Sequence, residues 1–193
     1  MDEILEITLR VTGVCERLGV PYAVVGSLAS SLHGIPRATQ DVDIVASLSL
    51  AHATAFADAL RGEFYLDDGA IREAIEQRRS FNVVHLRSYF KADVFIPKDD
   101  ESSRLEMERR QRFVIEETPR REIVVASPED TIAQKLYWYA LGDRVSERQW
   151  SDALGVLKVA GKTLDLAYLR HVSAILGVNE LLEEALGRAH RES

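Results

Sequence analysis

The sequence predicts an α+β protein in which a short mixed β-sheet with flanking helices is followed by a helical C-terminal half. Short apolar runs of strand length alternate with amphipathic segments in the first part of the chain. From Ser127 onwards the strand signals stop, and a "SPED" helix start opens a series of amphipathic helical segments. The 193 residues suffice for one domain with an appendage. We therefore expect an α+β domain over 1–126 and a helical region over 127–193.

Local signals place the elements of the first half in order. Apolar positions at helical spacing predict a first helix near 2–18, which Gly19 and Pro21 end. Ser27 is a suitable N-cap for a short helix that Gly34 closes. The other predicted elements are the strands "YAVV" and "QDVDIVASL", helices near 50–61 and 70–79, the hairpin strands "FNVVHLR" and "YFKADVFIP" joined at Ser88, a charged helix from Asp100 and the strand "REIVVAS".

Composition narrows the class of protein. The formal net charge of −7 disfavours a protein dedicated to duplex DNA. Short basic runs such as "RRQR" at 109–112 are expected on solvated helix and turn faces, or beside a site that handles phosphates. The N-terminus lacks the apolar stretch of a signal peptide, and no run approaches the about 18 apolar residues of a membrane span. We expect a cytoplasmic protein without a membrane partner, whose single cysteine, Cys15, is buried and inert.

Two aspartates inside an apolar strand are the first candidate functional residues. Asp41 and Asp43 are two positions apart, so their side chains point to the same face of the sheet. Val42 and Ile44 then point to the opposite face, into a core. Two like charges in one small volume repel each other, and a divalent cation removes that penalty. Hard cations such as Mg²⁺ prefer oxygen ligands, and paired Mg²⁺ ions serve in-line phosphoryl transfer.

A small-residue turn precedes these aspartates. Gly26 at a strand end allows a phosphate to approach the backbone, and the following helix directs free N–H groups towards it. Ser27 can cap that helix and also donate to a phosphate oxygen. Arg37 and Thr39, just before the second strand, either contact phosphate or simply satisfy the turn. The turn therefore predicts an anion site.

A third carboxylate is expected from a neighbouring strand. Asp93 lies in "KADVFIP", where an aspartate is disfavoured by strand propensity and needs a reason. It is either the third metal ligand or a charge that protects an exposed sheet edge from aggregation.

The combination of these motifs resembles the signature of the DNA polymerase β-like nucleotidyltransferase superfamily. That signature is an apolar residue, Gly, Gly or Ser, a spacer, and then Asp-apolar-Asp-apolar; here Val25-Gly26-Ser27 is followed after thirteen residues by Asp41-Val42-Asp43-Ile44. "HGIPRATQDVDI" and the region from "VASPED" to "LGVLK" are similar to a bacterial branch that includes abortive-infection and toxin–antitoxin nucleotidyltransferases. The resemblance covers roughly residues 20–160.

This resemblance implies the nucleotidyltransferase fold and a Mg²⁺-dependent transfer of NMP from an NTP to an acceptor, with release of pyrophosphate. Asp41 and Asp43 would hold two Mg²⁺ ions, and Asp93 would ligate the catalytic ion and help to deprotonate the acceptor. Gly26 and Ser27 would bind the β- and γ-phosphates, with Arg37, Thr39 and Lys135 also on the nucleotide side. The alternative for Lys135 is a solvated helix lysine. The acceptor would be a tRNA, a protein or a small molecule, and a toxin-type enzyme would have a cognate antitoxin as partner.

One part of the matched region departs from the family pattern. The branch has an aspartate after an Arg-rich turn, to which Asp152 corresponds, but Gln149 and Ser151 replace residues that are common in its relatives. The sequence therefore assigns no role to Asp152.

Other functional classes fit the sequence less well. A catalytically degenerate module that binds a nucleotide or a partner is the main alternative, although such a module would not need the carboxylate pair. A glycosyltransferase with its own Asp-x-Asp motif would need a larger nucleotide-binding domain ahead of the motif. His33 and His85 lack a metal-ligand partner at helical spacing and are expected to be structural. The aromatic group Tyr137-Trp138-Tyr139 is expected to pack, with base stacking as the alternative.

Overall fold

The computed structural model describes residues 2–191, which form two compact units. The elements, in chain order, are α1 (Asp2–Arg17), β1 (Tyr22–Val25), α2 (Gly26–His33), β2 (Asp41–Ala46), α3 (Leu50–Leu60), β3 (Phe64–Tyr65), α4 (Asp68–Gln77), β4 (Ser80–His85), β5 (Lys91–Phe95), α5 (Glu101–Arg109), β6 (Gln111–Glu117), β7 (Arg120–Val125), α6 (Pro128–Leu141), α7 (Glu147–Ala160), α8 (Leu166–Ile175) and α9 (Asn179–Arg191). The sheet unit comprises residues 2–25, Ala38–Asp99 and Gln111–Val125, and the helical unit comprises Gly26–Arg37, Asp100–Arg110 and residues 126–191.

The helical unit is assembled from three separate stretches of the chain. The predicted boundary at residue 126 falls where the chain enters this unit for the last time. Two earlier segments, which the predicted division assigned to the first domain, also belong to it, because α2 packs against α6 and α7 and α5 packs against α8. Residues 1, 192 and 193 of the two predicted domains lie outside the described residues.

A seven-stranded mixed sheet forms the sheet unit, in the order β3-β4-β5-β2-β1-β7-β6. The pairs β2–β5 and β1–β7 are parallel, and the other neighbours are antiparallel. The α+β class predicted from the sequence is confirmed. The strand with the two aspartates, β2, is the central strand, and β5 with Asp93 is its direct neighbour. Asp93 is therefore not at a sheet edge, and the edge-protection alternative is wrong.

The core of the sheet unit lies on the face opposite the aspartates. Val42 and Ile44 are fully buried, as their alternation with Asp41 and Asp43 predicts. The helix α1 contacts β2, β5 and α3, and Cys15 on its inner face is buried, which raises the pKa of its thiol to about 12. The predicted burial of Cys15 is confirmed.

Two strands of the sheet unit differ from the sequence-based expectation. The strand β6 begins at Gln111, inside the basic run that was expected on helix and turn faces. Its side chains are exposed or half-buried, and it pairs only with β7, where Arg112 and Glu122 form an ion pair across the two strands. A charged edge strand lacks the apolar alternation by which strands are recognised. The strand β3 is two residues long, which is too short to show an apolar alternation, and it was not predicted from the sequence.

The helical unit has its own apolar core. The side chains of Ile132, Leu136, Leu154, Leu169 and Leu182 pack in it. The helix α6 begins as predicted, since Ser127 accepts a hydrogen bond from the Asp130 N–H and Pro128 occupies the first turn.

A close backbone contact joins α2 to α7 inside the helical unit. A Cβ atom at Gly34 would lie 2.7 Å from the backbone nitrogen of Val156, so only glycine fits at this end of α2. The start of α2 differs from expectation, because the helix begins at Gly26, with φ +64°, and Ser27 lies in its first turn instead of capping it. No helix among residues 2–191 is long and apolar enough to cross a membrane.

Candidate active site

The structure places the three predicted catalytic aspartates on adjacent strands of the sheet unit. Asp43 is the direct register partner of Asp93 across the parallel β2–β5 pair. Neighbouring strands are about 4.8 Å apart, and residues in register project to the same face. Asp41 precedes Asp43 by two positions and shares that face, opposite Lys91 of β5. Asp41 is exposed, whereas Asp43 and Asp93 are half-buried.

Asp93 forms an ion pair with Lys91, which sequence reasoning missed. The Lys91 ammonium lies 2.8 Å from Oδ2 of Asp93, with 39% of the Lys91 side chain and 17% of the Asp93 side chain exposed. Hydrogen bonding to Asp93 raises the pKa of Lys91 above its ordinary value, and the charges of Asp41 and Asp43 raise it further. The i, i+2 spacing of Lys91 and Asp93 in a strand was the sequence signal for this pair.

Asp41 is held by Thr39, which was predicted to bind nucleotide. The Thr39 hydroxyl lies 2.9 Å from Oδ1 of Asp41 and 3.0 Å from the Asp41 backbone oxygen. Thr39 therefore orients the first carboxylate of the pair in this structure.

The donor set of these aspartates suits a hard divalent cation. Carboxylate oxygens are the ligands that Mg²⁺ prefers, and a cationic group, the Lys91 ammonium, already lies against one of them. Among residues 2–191, however, no group of three or more His, Cys, Asp and Glu side chains is gathered in metal-binding geometry. Asp41 is bonded to Thr39 and Asp93 is bonded to Lys91, so the carboxylates would have to exchange these partners for a metal ion.

A second cluster of predicted site residues lies within the helical unit and centres on Asp152. Arg37 contacts the Asp152 carboxylate with two nitrogens, Nε to Oδ1 at 2.8 Å and Nη2 to Oδ2 at 2.9 Å. Lys135 Nζ lies 2.8 Å from Oδ2 of the same carboxylate. The side chains of Lys135 and Asp152 are only 4% and 6% exposed, so Lys135 is not a solvated helix lysine.

Electrostatics in this cluster favour the ionised carboxylate. Burial by itself would raise the pKa of Asp152, but the hydrogen bonds from Arg37 and Lys135 outweigh it and the pKa is lowered. Two cations on one carboxylate leave this set of three side chains with one excess positive charge.

Ser27 connects this cationic cluster to the first turn of α2. Its Oγ accepts a hydrogen bond from Arg37 Nη2 at 2.5 Å. The first backbone N–H groups of a helix have no partner within the helix and attract anions. The helical unit thus brings together one cationic set, which consists of Gly26, Ser27, Arg37 and Lys135. Asp152 binds Arg37 and Lys135, and the sequence had not assigned it a role.

His33, His85 and Tyr139 make contacts within the fold, whereas Trp138 is 52% exposed. His33 Nε2 lies 2.8 Å from the backbone oxygen of Ala126, and burial lowers the pKa of this imidazole. His85 Nδ1 lies 2.7 Å from the Ser88 hydroxyl at the β4–β5 turn. Tyr139 packs against Trp150 with ring centroids 5.2 Å apart. None of these contacts points to a ligand.

Comparison with known sequences adds no relative. No protein-family model matches the chain, and no curated protein matches it.

Comparison with solved structures shows the fold. The lincosamide antibiotic adenylyltransferase LnuA, in its lincomycin-bound crystal structure, aligns with a TM-score of 0.52 at 12% identity over 82% of this chain and 98% of its own. The antibiotic-resistance factor ANT(2'')-Ia aligns with a TM-score of 0.54 at 14% identity over all of both chains. An antigenic nucleotidyltransferase-like protein from Paracoccidioides brasiliensis aligns with a TM-score of 0.52 at 14% identity over 93% of this chain and 91% of its own. The chain therefore has the nucleotidyltransferase fold.

Proposed function

We propose that this protein is a metal-dependent nucleotidyltransferase that moves an NMP group from an NTP to an acceptor and releases pyrophosphate. The observation that carries the proposal is the register of the central strands, which sets Asp43 directly beside Asp93 and puts Asp41 on the same face. An apolar sheet has no structural need for three carboxylates on one face of its two central strands, where their charges repel.

In this proposal Asp41 and Asp43 would hold two Mg²⁺ ions, and Asp93 would be a further ligand of one of them. Bound Mg²⁺ would neutralise the triphosphate and the charge that develops during transfer. The acceptor atom attacks the α-phosphorus, the bond from that phosphorus to the bridging oxygen breaks, and pyrophosphate leaves with the bonding electron pair. The Asp93 carboxylate takes the proton of the acceptor. The hydrogen bond from the Thr39 hydroxyl keeps the Asp41 carboxylate in a fixed orientation.

The cationic set of the helical unit suits the binding of phosphate oxygens. The backbone N–H at Gly26 and the hydroxyl of Ser27 donate to phosphate oxygens, and Lys135 and Arg37 contribute charge. Asp152 holds both cations in fixed positions, which lowers the entropy lost when they bind an anion.

Two classes of acceptor have observations in their favour. Two of the structural neighbours are named as antibiotic adenylyltransferases or resistance factors, and another structure of ANT(2'')-Ia is described as a complex with adenylyl-2''-tobramycin. These names favour a small-molecule acceptor, whereas the sequence resemblance to abortive-infection and toxin–antitoxin enzymes favours a tRNA or a protein and a cognate antitoxin in the cytoplasm.

A second candidate function has one specific observation in its favour. The carboxylates are bonded to Lys91 and Thr39 and are not gathered in metal-binding geometry among the described residues. A module that binds nucleotide or a partner protein without catalysis would keep this arrangement permanently.

Incubation with each α-³²P-labelled NTP and Mg²⁺ separates the two functions. The acceptors are total RNA, total protein and a panel of aminoglycosides and lincosamides. The wild type should label one acceptor class, and Asp43→Asn should lower the rate at least about 100-fold. Asp58→Asn is the matched control, because this carboxylate of the same unit is 64% exposed on α3. Binding of Mg²⁺–NTP that is equal in wild type and Asp43→Asn, with no transfer to any acceptor, would support the binding module.

A further inference from the structure

We propose that Lys91 is a built-in counterion of the carboxylate site, which competes with a divalent cation for Asp93 and moves off that carboxylate when the cation binds. This lysine then sets the metal affinity of the site, and its release is part of metal loading. The inference rests on the proposed function, since it concerns the same carboxylates, and it adds a residue that the nucleotidyltransferase motif does not include.

The position of Lys91 supports this role. It lies two residues before Asp93 in β5 and directly opposite Asp41 in β2, so its stem rises from the same sheet face as all three carboxylates. Its ammonium is 2.8 Å from Oδ2 of Asp93 and also experiences the charges of Asp41 and Asp43. The Lys91 ammonium therefore lies in the negatively charged region where a cation would bind on this face of the sheet.

The ammonium and a metal ion compete for the negative charge of Asp93. The ammonium lies 2.8 Å from Oδ2, so a metal ion bound to the same carboxylate would share that charge with Lys91. A dication bound beside the ammonium would also meet a like charge in a half-buried environment. Lys91 can move away because its four-carbon stem is flexible and its side chain is 39% exposed.

A purely structural role for this ion pair predicts a different outcome. An ion pair of this exposure contributes little to folding, so removal of the lysine would leave stability nearly unchanged and would not alter metal affinity. The counterion role predicts that removal of the positive charge, and not of the side-chain volume, strengthens metal binding.

Titration with Mn²⁺ alone, followed by the loss of the free-ion electron paramagnetic resonance signal, tests this directly. The proteins are the wild type, Lys91→Met, Lys91→Arg and Asp93→Asn, with Lys98→Met as the control for loss of an exposed positive charge near the same strand. Lys91→Met should lower the Mn²⁺ dissociation constant about tenfold, whereas Lys91→Arg and Lys98→Met should stay close to the wild type. Combining Asp93→Asn with Lys91→Met should abolish the gain.

Three other results of the titration would overturn the counterion role. A dissociation constant that is equal or higher in Lys91→Met than in the wild type overturns the counterion role, and so does a gain that survives Asp93→Asn. Absence of Mn²⁺ binding in both the wild type and Lys91→Met also overturns it, because the positive charge of the lysine is then not what keeps the Mn²⁺ affinity low. The proposed function has its own test. It fails if Asp43→Asn binds Mn²⁺ and NTP as tightly as the wild type does and no acceptor is labelled.

Discussion

Removal of the Asp152 carboxylate should destabilise the helical unit strongly. Asp152→Ala would leave Lys135 and Arg37 without the oxygens that they contact at 2.8–2.9 Å, and the Lys135 side chain is only 4% exposed. Breaking a buried ion pair by removing one partner costs about 3–5 kcal/mol, because an uncompensated charge stays behind. Since Arg37 is 26% exposed and can be hydrated, we expect a loss of about 2–4 kcal/mol in the free energy of unfolding.

Urea unfolding at pH 7, followed by tryptophan fluorescence, measures this loss. Both tryptophans of the chain, Trp138 and Trp150, belong to the helical unit, so the signal reports on the unit that is perturbed. The double variant Asp152→Ala/Lys135→Met removes the buried Lys135 ammonium together with the Asp152 carboxylate. It should recover about half or more of the lost free energy of unfolding. A loss below about 1 kcal/mol in Asp152→Ala, or no recovery in the double variant, would refute the reasoning that these charges are energetically coupled.

Three further predictions concern single side chains. Burial, with the nearby charges of Asp130 and Asp100, raises the pKa of Glu106 from 4.5 to about 8. The native state therefore holds this proton after the unfolded state has lost it, so the unfolding free energy should fall by at most about 1.4 kcal/mol per pH unit as the pH rises from 4.5 to 8. Glu106→Gln should flatten that slope in urea titrations at pH 5, 6.5 and 8, and an unchanged slope would contradict the assignment. Gly34→Ala should lower the urea midpoint by the equivalent of about 1–3 kcal/mol, because its Cβ would lie 2.7 Å from the Val156 nitrogen; an unchanged midpoint would show that α2 can shift freely. Thr39→Val should raise the Mg²⁺ concentration for half-maximal transfer about fivefold without altering the urea midpoint, and an unchanged Mg²⁺ requirement would mean that Thr39 does not orient Asp41.

The sequence sufficed to predict the features that depend on local pattern. The alternation of Asp41, Val42, Asp43 and Ile44 determined which side chains are buried, and the structure confirms that Val42 and Ile44 are in the core. The placement of Asp93 beside Asp43 depended on strand order, which periodicity does not contain. The unusual aspartate in a strand and the family resemblance together led to that expectation, and the β2–β5 register agrees with it.

The contacts between distant parts of the chain could not be predicted from local pattern. Asp152 lies 115 positions after Arg37, so nothing in the neighbourhood of either residue indicates their ion pair. The same applies to α2, whose close contact with α7 at Gly34 places it in the helical unit although it follows β1 directly in the chain. The strand β6 was missed because charge pairing with β7, and not an apolar face, stabilises it.

Crystals grown with Mn²⁺ and an NTP analogue that cannot be cleaved at the α-phosphate would test the central claim most directly, through the anomalous scattering of the metal. Manganese peaks should lie in contact with carboxylate oxygens of Asp43 and Asp93, with the Lys91 ammonium displaced from Asp93. Bound nucleotide with no manganese at these aspartates, and with the Lys91–Asp93 ion pair intact, would contradict that claim.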